Sequence, residues 1–117
     1  MKKVYYLSTC DTCKRIMKEV GVEGFEKQDI KTEKITNEQI EVMHSLAGSY
    51  EALFSKVARK YKELGLKERN LNEEEIKQFI LDEYTFLKRP VFIIGEEIFI
   101  GNSKKTVEAV KVKLSQS

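Results

Sequence analysis

Proline occurs once, histidine once, cysteine twice and tryptophan not at all in the 117 residues. Two cysteines cannot build the disulfide framework of a small secreted domain. Two cysteines and His44 also fall one short of the four ligands that close a structural zinc site. No apolar run approaches the roughly 18–20 residues that span a bilayer. The apolar run of the opening Met1-Lys2-Lys3-Val4-Tyr5-Tyr6-Leu7 is too short for the core of a signal peptide and reads as a strand. Neither sign of charge dominates: 21 Lys plus Arg against 19 Asp plus Glu leave +2. That is not the strongly basic balance of a dedicated nucleic-acid binder. The remaining class is one cytoplasmic globular domain over residues 1–117, with 41% hydrophobic and 34% charged residues. A chain of this length buries about 65% of its unfolded surface, enough for a core without staples.

Hydrophobic spacing divides the chain. Lys3 to Leu7 is β-branched and aromatic, as a buried strand requires. Thr12 to Val20 carries Ile16, Met17 and Val20 at helical spacing, and Gly21 stops it. Phe25 to Ile30 reads as a second strand, which makes a parallel βαβ unit. Thr36 and Gln39 form a capping box before Ile40, Val42, Met43 and Leu46. Tyr50 to Leu64 is expected as one helix with Leu53, Phe54, Val57, Tyr61 and Leu64 on its buried stripe, ended by Gly65. Leu66 to Leu71 is charged and loop-like. Asn72 and Glu75 form a second box, and Glu73, Glu74 and Glu75 suit a helix N-terminus rather than a metal. Ile76, Phe79, Ile80 and Tyr84 turn that helix inward. Val91–Ile94 and Ile98–Ile100 make a hairpin around Gly95-Glu96-Glu97. A last helix runs through Val107, Val110 and Leu114. The predicted fold is α/β: a small mixed four-stranded sheet flanked by helices, with a helical insertion over about 36–84.

Cys10-Asp11-Thr12-Cys13 stands where the first strand passes into the first helix. Exposed amides and the helix dipole stabilise a thiolate at that position. Lys14 and Arg15 add positive potential beside it. Cys10 precedes the first turn and is the candidate nucleophile. Cys13 follows one turn later, within reach of a mixed disulfide on Cys10. The competing reading takes both as small residues at a crowded junction. His44 reads as an ordinary helix residue, because a thiolate formed below ambient pH needs no separate base.

The run Val4-Tyr5-Tyr6-Leu7-Ser8-Thr9-Cys10-Asp11-Thr12-Cys13-Lys14-Arg15 resembles the start of the arsenate reductase family, which includes the Spx-type regulators. Leu53-Phe54-Ser55-Lys56, Tyr61-Lys62-Glu63-Leu64-Gly65-Leu66 and Phe86-Leu87-Lys88-Arg89-Pro90-Val91 resemble later segments of that family, in family order. The resemblance implies a thioredoxin-like fold with an inserted helical subdomain. It implies that Pro90 is cis and faces the active cysteine, and that Arg89 binds an oxyanion beside Cys10. A guanidinium fork suits such an anion, although an arginine at the end of an element can also simply pair with a carboxylate. Lys56 falls in the stretch where the family's enzymes carry another arginine. Where they place one after the last hairpin, this chain has Gly101-Asn102-Ser103.

Two functions follow from the resemblance. The first is a thiol-dependent oxidoreductase in which Cys10 attacks an oxyanion or disulfide and Cys13 or an external thiol resolves the adduct. Catalytic Cys10 and Cys13 are then joined by Lys14, Arg15, Lys56, Arg89 and Pro90 as the substrate-binding set. No cofactor is bound, no metal is used, and electrons come from glutathione or a thioredoxin- or glutaredoxin-type protein. The second is a Spx-type redox-sensing regulator, whose Cys10–Cys13 switch controls binding to RNA polymerase. Neither reading calls for direct nucleic-acid or membrane contact.

Overall fold

The computed structural model describes residues 1–116. The chain forms two compact units, one of residues 1–33 with the chain from Arg89 onward, the other of residues 34–88.

The first unit is built on a four-stranded sheet. Strand β1 (Lys2–Tyr6) pairs in parallel with β2 (Glu26–Asp29) and antiparallel with β3 (Val91–Ile94), which pairs antiparallel with β4 (Glu97–Ile100). The order is β2-β1-β3-β4. All four residues of β3 are buried, matching its unbroken apolar run. The hairpin loop is two residues, Gly95-Glu96, one shorter than the expected three, because Glu97 pairs with Ile94. Gly95 sits at φ 62, a conformation that favours glycine at the first position of such a turn.

Helix α1 (Asp11–Val20) connects β1 to β2, and α5 (Lys104–Ser115) follows β4. Cys13, Ile16 and Met17 form the buried face of α1, the i, i+3, i+4 pattern of an amphipathic helix. Ile16 and Met17 pack with Val4, Phe25, Phe92, Ile94, Val107 and Val110 in one core. Phe25 and Phe92 meet edge to face, with ring centroids 6.0 Å apart. Lys111 of α5 reaches Glu19 of α1 at 2.6 Å on the outside.

The second unit holds α2 (Asn37–Ala47), α3 (Arg59–Glu63) and α4 (Glu73–Asp82), with 3-10 turns at Glu51–Leu53, Leu66–Glu68 and Tyr84–Phe86. Both capping boxes form: Thr36 with Gln39 opens α2, and Asn72 with Glu75 opens α4.

The expected helix from Tyr50 to Leu64 does not form as one element. Ser55 N–H donates to the Phe86 carbonyl at 2.7 Å, and Lys88 N–H donates to the Leu53 carbonyl at 2.8 Å. These bonds pair Phe54 antiparallel with Leu87 and extend the backbone where a helix would need it coiled. The burial stripe breaks with it. Leu53 and Phe54 are buried, while Val57 is 90% and Leu64 51% exposed. Phe54 packs on Phe86 at 5.2 Å and on Tyr61 at 5.9 Å. Leu66, expected in a loop, is buried in its 3-10 turn. Tyr84 lies outside α4, because Glu83 is extended and caps the next turn through Thr85 N–H.

Candidate active site

The site lies in the first unit and begins where β1 stops. Leu7-Ser8-Thr9-Cys10 makes a tight turn, closed by Cys10 N–H donating to the Leu7 carbonyl at 3.0 Å. Cys10 is the N-cap of α1, with extended backbone at φ −99 and ψ 109. Its Sγ therefore takes the place of the usual capping oxygen, and Cys13 N–H donates to it at 3.5 Å. The helix start, in short, offers its unsatisfied amides to a sulfur.

That placement fixes the electrostatics of both thiols. Partial burial pushes the Cys10 thiol up. The hydrogen bonds from the Cys13 backbone and side chain, the Arg89 charge and the Thr12 amide outweigh it, so Cys10 lies below the ordinary cysteine value. Cys13 moves the opposite way, to about 12. Its burial is the largest cause; the hydrogen bond to Cys10 and the proximity of a Cys10 anion act in the same sense, against the Leu7 amide and Arg89. The two thiols are thus shifted in opposite directions, Cys10 down and Cys13 up. Both cysteines are free thiols in this structure.

Arg89 is half-buried, with its Nε inside. It is the cation whose charge most lowers Cys10. The Arg89–Pro90 peptide bond is cis, and Pro90 is buried. The Pro90 carbonyl accepts from Gly101 N–H at 3.0 Å, which ties the entrance of β3 to the exit of β4.

Lys14 and Arg15 are exposed on α1, 3.8 Å from Asp11 and 3.7 Å from Glu19 respectively. Lys56 belongs to the second unit, exposed and 3.1 Å from Glu51. His44 is also in that unit, stacked on Tyr50 at 4.1 Å between ring centroids.

One contributor leaves no mark in the sequence. Asp29, at the end of β2, accepts a hydrogen bond from Ser8 N–H at 3.3 Å and so touches the turn that carries Cys10. Only the parallel pairing of β1 with β2 puts it there, with Tyr6 opposite Asp29. A short acidic residue after Lys27-Gln28 has no periodicity or motif to announce it.

Known structures share this architecture. An arsenate reductase from Vibrio cholerae superimposes with a TM-score of 0.74 at 17% identity, over 93% of this chain and 96% of that one. An arsenate reductase (ArsC) related protein from Brucella melitensis gives 0.71 at 21% identity, over 92% of each chain. The SACOL0876 protein of Staphylococcus aureus COL gives 0.72 at 27% identity, over 93% and 97%. No curated protein matches the chain at a significant level. The family profile of ArsC matches residues 5–110, from the last two residues of β1 into α5, so the Cys10–Cys13 turn, the cis proline and the hairpin all lie inside the match. This chain belongs to the ArsC family.

Proposed function

We propose that the protein is a thiol-dependent reductase in which Cys10 is the nucleophile and Cys13 the resolving thiol. The opposed behaviour of the two sulfurs carries this reading: Cys10 is lowered, while Cys13 is buried and raised to about 12. A low-lying thiolate is the attacking species in thiol chemistry, and a protonated neighbour does not compete with it.

With a disulfide substrate, the Cys10 thiolate attacks one sulfur, forms a mixed disulfide and expels the other sulfur as a thiolate. With an arsenate-type oxyanion, it displaces one oxygen, which leaves as water after protonation, and forms an S–As bond. In either case Cys10 loses its negative charge, which removes one of the influences that hold the proton on Cys13. Deprotonated Cys13 then attacks the Cys10 sulfur. The Cys10–Cys13 disulfide forms, two electrons pass to the substrate, and the bound group leaves as a thiolate or as the As(III) species. An external thiol of the glutathione, glutaredoxin or thioredoxin class returns the pair to the dithiol. Arg89 and the first amides of α1 supply the positive potential an oxyanion needs beside a thiolate.

The experiment is a coupled thiol assay on the reduced protein with arsenate and with a low-molecular-weight disulfide as separate substrates. Turnover with either, lost in Cys10→Ser, is the expected result. No turnover with any thiol donor, together with retention of RNA polymerase by the oxidised protein but not by the reduced one, would replace the reductase reading with a Spx-type regulator.

A further inference from the structure

The Leu7–Cys10 turn is anchored from outside itself. Its closing bond uses Cys10 N–H and the Leu7 carbonyl. The Ser8 N–H leaves the turn and donates to the Asp29 Oδ1 at 3.3 Å. The same oxygen accepts from Lys31 N–H at 3.1 Å. The Asp29 backbone is fixed in turn, since Ile30 N–H donates to the Tyr6 carbonyl at 2.9 Å. One carboxylate thus ties the end of β2 to the residue two places before the nucleophile.

We propose that Asp29 is a positioning residue for Cys10, holding the Ser8–Cys10 turn from the end of β2 so that the Cys10 sulfur sits over the first amides of α1. The proposal rests on the reading of Cys10 as the attacking thiolate. Acceptor geometry, not charge, is what Asp29 supplies. A negative charge near Cys10 would oppose its ionisation, and Arg89 is the charge that acts on Cys10. A carboxylate is suited to the task because it only accepts, and can take several donors at once. Burial raises the Asp29 carboxyl, but the Ser8 hydroxyl and the Lys31 and Ser8 amides more than offset it, and the group lies below the usual aspartate value.

The test follows the ultraviolet thiolate absorbance of Cys10 against pH in the reduced full chain, with folding checked by circular dichroism. Asp29→Asn keeps an oxygen for the Ser8 and Lys31 amides and is expected to titrate as wild type. Asp29→Ala removes the acceptor, and Asp29→Glu keeps the charge but displaces it. Both are expected to move Cys10 upward toward the free-thiol value of about 8.5, each unit slowing alkylation by iodoacetamide about tenfold at a pH below the wild-type Cys10 pKa. If Asp29→Ala does not fold, the comparison of Asn with Glu decides. Wild-type titration in Asp29→Glu, or a shift in Asp29→Asn as large as in Asp29→Ala, overturns the proposal. The readout needs no substrate, so it fails separately from the reductase assay: Cys10 can be inactive as a reductase and still be positioned by Asp29.

Discussion

The amide N–H of Cys13 points at the Sγ of Cys10 from 3.5 Å. One residue therefore both caps the anion, through its backbone, and keeps a protonated thiol beside it, through its side chain. The two cysteines are therefore unequal, and the proposed reductase uses that inequality to order attack and resolution.

Replacing Cys13 by serine separates attack from resolution. The Cys13 backbone amide survives the change, so Cys10 should still react with oxidised glutathione. The reaction should then stop. Mass spectrometry is expected to show a stable one-to-one glutathione adduct in Cys13→Ser, where the wild type passes on to an internal disulfide. An adduct equally stable in wild type would remove Cys13 from the resolving step.

Arg89 contributes charge to Cys10, and in the proposed reductase its guanidinium fork holds an anion. Arg89→Gln is expected to raise the Cys10 pKa and slow alkylation, about tenfold for each unit of rise when the assay pH lies below the wild-type Cys10 pKa. The loss should be larger with iodoacetate than with iodoacetamide, because only the former is an anion. Arg89→Lys should recover part of the pKa but less of the iodoacetate preference. Equal losses with both reagents would mean that Arg89 tunes the thiol without attracting anions.

Cys13 and Tyr5 tie stability to alkaline pH. Both are raised to about 12, chiefly by burial. Unfolded, they would titrate near about 8.5 and about 10. The folded state therefore holds protons that the unfolded state has released, and stability falls as pH climbs from about 8.5 to about 12. Cys10 acts oppositely: its lowered value adds stability as pH rises toward about 8.5. Urea midpoints of the reduced protein at pH 8, 9.5 and 11 should decline, and the decline should be shallower in Cys13→Ala and in Tyr5→Phe. An unchanged slope in both variants would contradict the assignment.

Phe54 and Val57 test where the sheet-like pairing of the second unit breaks the expected helix. Phe54→Ala removes a fully buried ring packed on Phe86 and should cost about 3–5 kcal/mol. Val57→Ser changes a side chain that is 90% exposed, and its urea midpoint should match wild type. A continuous helix from Tyr50 to Leu64 would make both substitutions costly.

Local chemistry was sufficient for much of this molecule. Thr36 with Gln39 and Asn72 with Glu75 are self-contained caps, since every partner lies within three residues. The β-branched and aromatic run of β1, the helical spacing of α1 and the unbroken apolar run of β3 locate those elements, and Cys10-Asp11-Thr12-Cys13 at a strand–helix junction already orders the two thiols by their distance from the helix start. Periodicity failed at Tyr50–Leu64 for a physical reason. The bonds from Ser55 to Phe86 and from Lys88 to Leu53 compete with the helix from far along the sequence.

What only the tertiary structure decided is which distant groups meet the sulfur. Arg89 acts on Cys10 across the antiparallel pairing of β1 with β3, and Asp29 reaches Ser8 across the parallel pairing of β1 with β2. The sequence by itself determined a thiol pair at a helix N-terminus, because that depends on amides one turn away. The charge that lowers Cys10 and the Ser8–Asp29 bond beside it depend on which strands pair, and those partners lie far apart in the sequence.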